Sequence, residues 1–220
     1  MRLLIIIIIS FSCLIDCSTY TTQNNNGGAS ETVNAFVNIC DSMVTVNLRA
    51  EDTVDAMVNL LGVDYNPVTN SGVQKSVAIR AKDSSVIFTN LNGIYNLIIT
   101  DNIRGKSLSM MNIEISKGMN NIISDTLSTN GSVHGYVLST QIRDSEDVLY
   151  GILIIGTPFF TKLDKNGEFE LKGVPKGFYS IIAMMMTNQK SEVNAMRMVK
   201  REIYINSGES SEGINLYFSN

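Results

Sequence analysis

Asn166-Gly167-Glu168-Phe169-Glu170-Leu171 is the stretch on which the fold turns. Asn-Gly supplies the positive-φ pair that a tight hairpin requires. Phe169 and Leu171 then alternate with Glu168 and Glu170, so one face of the following segment is dry and the other wet. Period two is the pattern of a half-buried strand. Eight residues on, Val174-Pro175-Lys176-Gly177-Phe178-Tyr179-Ser180 sets a second turn through Pro175 and Gly177. Tyr179 is placed there to pack inward with its hydroxyl at the rim.

Working outward, the same grammar recurs from Val33 to Phe218. Short Val-, Ile-, Phe- and Tyr-rich stretches such as Asn112-Ile113-Glu114-Ile115-Ser116 and Glu202-Ile203-Tyr204-Ile205-Asn206 are separated by Asn, Gly, Ser and Asp. Turn residues return at the spacing of a sandwich or barrel. Glu51–Leu61 is the best candidate for a helix, with a strand preceded by a loop as the other reading. Three blocks repeat in one order. Residues 92–97 (NGIYNL) correspond to 166–171, 102–108 to 174–180, and 113–118 (IEISKG) to 203–208 (IYINSG). Two copies of a strand-rich unit follow, 31–128 and 129–220. The second carries about 18 more residues between its last two blocks, in a polar and then Met-rich stretch from Thr187 to about Lys200 that reads as a longer hairpin or loop.

The second copy runs from Gly131-Ser132-Val133-His134-Gly135-Tyr136-Val137 through Tyr150-Gly151-Ile152-Leu153-Ile154, the Asp164–Phe169 turn and the Pro175-Lys176-Gly177-Phe178-Tyr179 hairpin. That order resembles the carboxypeptidase-regulatory-like and collagen-adhesin B-type modules. The resemblance implies an all-β chain of two tandem small Greek-key β-sandwiches of the transthyretin or prealbumin type. It also implies a repeat protein of exported or surface location. Two of the family's properties do not carry over. The opening strands, Val33–Ile39 and Val133–Leu138, hold no Lys for an isopeptide cross-link, and the metal-binding peptidase domain has no counterpart.

The N-terminus is built differently. Arg2 precedes an unbroken apolar run from Leu3 to Ile9, continued by Ser10 to Ile15 and ended by Asp16-Cys17. About 13 residues at 1.5 Å each are too short to cross a ~30 Å hydrocarbon layer and suit an export signal. Leu14-Ile15-Asp16-Cys17 resembles a bacterial lipobox, with Asp16 departing from the small residue usual before the cysteine. The resemblance implies acylation of Cys17, with Cys13 as the alternative. Residues 1–16 then form the signal peptide. The polar segment 17–30 forms a tether, too poor in apolar residues to be ordered by burial.

Composition excludes several functions. The 220 residues carry 17 basic and 21 acidic side chains, a net charge of −4, without the basic excess of a nucleic-acid binder. One His, no Trp and three Cys leave no basis for a multi-ligand metal or haem site. Once Cys17 is acylated and Cys13 removed, Cys40 has no partner for an intramolecular disulfide, and its alternating surroundings suit a small buried hydrophobe. His134 would have to serve any catalytic triad, and its alternating strand places it toward solvent. Asp164-Lys165-Asn166-Gly167-Glu168 reads as a turn, because the later Glu of a calcium loop is missing. Met184, Met185, Met186, Met196 and Met198 read as core or loop packing, or alternatively as an adaptable contact patch.

No catalytic residue, cofactor or metal is expected. The expected role is non-enzymatic: structural, spacing or adhesion work at the bacterial cell envelope. Its partners would be membrane lipid through the acylated N-terminus and an envelope protein or polysaccharide. The alternative is a carbohydrate- or protein-binding adhesion module.

Overall fold

A computed structural model describes residues 32–138, 148–187 and 195–217. These residues form strands and turns, and among them there is no helix. The signal segment, the tether, Cys13 and Cys17 lie outside the described residues.

The first seven strands are β1 (Val33–Cys40), β2 (Met43–Gly62), β3 (Gln74–Phe88), β4 (Gly93–Asp101), β5 (Lys106–Ile115), β6 (Asn120–Thr126) and β7 (Ser128–Thr129). They make one sheet in the order β6-β1-β2-β4-β5-β7, with β3 on the other edge of β2. The sheet is barrel-like and nearly closes around its own apolar face, where residues from β1 to β5 and Leu127 form a continuous core.

β2 makes that closure possible. Its first half pairs with β1 from Met43 to Ala50, and its second half pairs with β4 from Ala56 to Gly62. The register against β3 slips between Arg49 and Val54, so the exposed Glu51, Asp52 and Thr53 form the corner where the strand changes neighbour. The helix considered for Glu51–Leu61 is therefore a strand. Val54, Ala56, Val58 and Leu60 alternate inward, and period two prevails over the helix-favouring residue types around them.

The remaining strands are β8 (Gly131–Leu138), β9 (Val148–Ile154), β10 (Phe160–Lys162), β11 (Glu168–Val174), β12 (Gly177–Thr187), β13 (Ala195–Ile205) and β14 (Ser210–Tyr217). They form a four-stranded sheet, β10-β9-β12-β13, and a three-stranded sheet, β11-β8-β14. The two share a core that includes Val133, Val137, Ile152, Phe169, Leu171, Tyr179, Ile181 and Ile205.

The pairing revises the internal repeat. β4 lies between β2 and β5, and β12 lies between β9 and β13. The counterpart of Gly93-Ile94-Tyr95 is therefore Gly177-Phe178-Tyr179, rather than the segment after Asn166-Gly167. Both glycines take positive φ, at 129° and 153°. Both tyrosines are buried, and each hydroxyl donates back to a nearby upstream carbonyl, Tyr95 to Asn92 at 3.3 Å and Tyr179 to Pro175 at 2.9 Å. The last block keeps its register, with Gly118 and Gly208 in equivalent turns at φ 81° and 71°. Of the two readings of the stretch from Thr187 to about Lys200, the structure has the longer hairpin: Thr187 ends β12, and Ala195 to Lys200 belong to β13, its antiparallel partner.

Candidate functional site

Among the described residues, two depressions are lined by polar side chains distant in sequence. The first is the outer face of the β11-β8-β14 sheet. His134 sits at its centre, with Nε2 2.6 Å from Glu168 Oε1 on β11 and Nδ1 2.8 Å from Glu212 Oε2 on β14. The strands position all three. His134 and Glu168 point outward by alternation, because Val133, Gly135 and Phe169 are the buried neighbours. Glu212 gets there by a bulge. The parallel pairing of β14 with β8 shifts between Ser211 and Ile214, and Gly213 takes φ 70°. The extra residues aim Glu212 across the strand. Gly135 allows the approach, since a Cβ there would stand 1.9 Å from the Ile214 carbonyl oxygen.

A neutral imidazole has one N–H, whereas an imidazolium has two. With a carboxylate against each nitrogen, the arrangement is complete only when the ring is charged. The bond to Glu168, then that to Glu212, raises the His134 pKa above its ordinary value. Ser210, and then His134, hold the Glu212 carboxyl below the usual carboxylate range. The Tyr136 ring meets the imidazole edge-on at 5.9 Å. With a carboxylate against each nitrogen, the group becomes a doubly bridged ion pair when the ring is protonated. Among the described residues, no three His, Cys, Asp or Glu side chains are grouped to hold a metal ion.

His134 stands on the solvent side that its alternation implies, half-buried there. The two carboxylates were not foreseen. The Asp164 segment is a turn, as read. Asp164 Oδ1 accepts from the backbone N–H of Asn166 at 2.9 Å and of Glu168 at 2.7 Å, and Gly167 takes φ 79°. Met184 is buried with Leu153 and Ile182, as core packing requires. The side chains of Met185, Met186, Met196 and Met198 are outside the described residues. Cys40 ends β1, half-buried.

The second place is a cleft of about 460 Å3 between the first sheet and β12–β13. Asn96, Met111, Phe178, Tyr179, Lys200 and Glu202 contribute to its lining. Its polar atoms mostly satisfy one another. Asn96 sits where the β4–β5 register shifts; its Nδ2 donates to the Gly156 carbonyl at 2.9 Å and its Oδ1 accepts from the Asn112 N–H at 2.8 Å. Gly156 N–H in turn donates to the Tyr65 carbonyl at 2.8 Å. The hydroxyls of Ser109 and Tyr179 meet at 2.6 Å, and burial pushes the Tyr179 pKa up to about 12. Lys200 Nζ reaches Glu202 Oε1 at 2.9 Å and, with Ser180, holds that carboxyl low. The cleft is a seam that joins strands.

No family model matches the chain, and no curated protein matches it. Among solved structures it is similar to the Bacillus anthracis TIE protein at 10% identity and a TM-score of 0.26. The alignment covers 88% of this chain and 41% of that one. A superposition that loose fixes neither a fold family nor a role. The class defined by the strands and their pairing is an all-β protein with one nearly closed barrel-like sheet.

Proposed function

We propose that this chain is an exported, lipid-anchored, non-enzymatic module of the bacterial cell envelope, acting in structure, spacing or adhesion. The observation that carries this is the N-terminal order of Arg2, the apolar run from Leu3 to Ile15, Cys17, and a polar stretch up to the first strand at Val33. A thioether-linked lipid on Cys17 would anchor the chain without a spanning helix. Extended, Ser18 to Glu31 reaches at most about 50 Å, enough to hold the strands clear of the headgroups. Two tandem transthyretin-like Greek-key sandwiches, 31–128 and 129–220, are the finer reading of the fold. The repeated Gly-x-Tyr element at Gly93 and Gly177 supports it. A scaffold role is supported by the hydrogen bonds that tie His134 to Glu168 and Glu212 in one place, and Asn96 to Gly156 and Asn112 and Ser109 to Tyr179 in the other.

The test is fractionation after expression in a Gram-negative host. The native chain is expected with membranes and Cys17→Ser in the soluble or unprocessed pool. Native protein that is soluble and cleaved at another residue overturns the anchor.

Adhesion by ligand binding is the second reading. It is favoured by Phe178 and Tyr204, cross-strand partners with ring centroids 4.5 Å apart, of which Phe178 is 77% exposed. Exposed aromatic pairs suit sugar or protein contacts. Selective retention on a glycan array that is lost in Phe178→Ala would favour this reading over pure spacing.

A further inference from the structure

We propose that His134, Glu168 and Glu212 form a proton-operated clip that fastens the C-terminal strand β14 to the rest of its sheet. β14 pairs only with β8 in that sheet, in parallel, and its pairing is broken by the bulge at Glu212-Gly213. On its other side β8 pairs with antiparallel β11 without interruption from Glu168 to Lys172, with one shift beyond it between Lys172 and Val174. His134 on the middle strand bridges both neighbours. When charged, it donates to Glu168 and Glu212 together. When it loses its proton, one nitrogen presents a lone pair to a carboxylate, and one bond becomes a repulsion. Glu212 is the group released, because its side chain is 63% exposed against 40% for Glu168 and it sits on the bulged strand.

The surrounding charges leave this logic intact. Lys162 on β10, Asp164 in the turn, and Glu170 and Lys172 on β11 line the depression beside the ring. Glu170 is the direct cross-strand partner of His134, and its carboxylate pairs with Lys172 at 2.9 Å. Asp164 is engaged by its own turn. Tyr136 on β8 touches the ring through its edge. His134 is the one histidine in the sequence, so an imidazole transition in this protein belongs to it.

The sign follows from the raised folded pKa. The clip is closed below the pKa of a free imidazole and opens as pH rises through the folded value of His134. β14 is therefore held more firmly in mild acid than in mild alkali.

The test is backbone amide exchange on the full chain at about pH 5 and about pH 8, expressed as protection after correction for intrinsic rates. Protection of Ile214 to Tyr217 is expected to fall about 5-fold at the higher pH, the factor that one ordinary hydrogen bond represents. Protection of Ile181 to Ala183 on β12 is expected to stay constant. Glu212→Gln keeps a side chain that can donate or accept, so it pairs with either form of the ring and is expected to abolish the pH dependence. Equal β14 protection at both pH values in the native chain overturns the clip. A fall of the same size persisting in Glu212→Gln overturns it as well.

Discussion

The Asn96 side chain and the Gly156 backbone are fitted to each other across the seam between the two groups of sheets. Asn96 Nδ2 donates to the Gly156 carbonyl at 2.9 Å, and a Cβ on Gly156 would stand 2.2 Å from that same nitrogen. Gly156 also takes φ 73°, which side-chain-bearing residues rarely adopt. Both requirements fall on one glycine.

Gly156→Ala is expected to destabilise the fold by about 2–3 kcal/mol, from backbone strain and displacement of Asn96. Asn96→Ala is expected to cost a similar amount, about 2–3 kcal/mol, by stranding the buried Gly156 carbonyl and freeing the Asn112 N–H at the bulge. The double variant removes the clash, so its loss in chemical denaturation should be smaller than the sum of the two. Additive losses would mean that the two residues act independently.

Gly135→Ala tests the close approach of β14. The added methyl meets the Ile214 carbonyl oxygen at 1.9 Å, in backbone that cannot yield without breaking the parallel pairing. A loss of about 3 kcal/mol or more is expected, with exposure of Ile214 and Leu216 seen as dye binding or protease cleavage near the C-terminus. A native-like melting temperature would show that β14 contributes little to the fold.

Tyr179 joins β12 to the first sheet through the Ser109 hydroxyl. Tyr179→Phe keeps the ring and loses its two hydrogen bonds, for an expected cost of about 1–2 kcal/mol. Tyr179→Ala empties the core position, for about 3–5 kcal/mol. The pH dependence has a definite sign. The folded pKa of about 12 exceeds the ordinary 10.0, so this contribution is whole below pH 10.0 and is lost as pH rises toward 12. Tyr179→Phe should show a shallower alkaline fall in stability than the native chain.

The strands were legible because one face is buried and the other wet, and alternation at Phe169-Glu170-Leu171 or Ile113-Glu114-Ile115 records that directly. The length of β2 was not legible. Glu51-Asp52-Thr53 looks like a break between strands, and only the exchange of β1 for β4 as neighbour shows it to be a corner within one. The repeat was visible but matched at the wrong turn. Asn92-Gly93 looks like Asn166-Gly167 by residue type, yet the shared constraint is a positive-φ glycine two residues before a buried tyrosine. The His134 group was hidden for a further reason. Alternation sends His134 and Glu168 outward, but which strands adjoin is a matter of tertiary pairing. Glu212 arrives by a bulge that no period reveals, and Gly213 is its one local sign.

The claim that the chain is held at a membrane by lipid on its N-terminus is tested most directly by the mass of the N-terminal peptide of the mature protein. The mature peptide is expected to begin at Cys17 and to carry the added mass of a thioether-linked diacylglycerol, absent from Cys17→Ser. A peptide that begins at another residue without lipid, or one that still carries Arg2 and the apolar run, would contradict it.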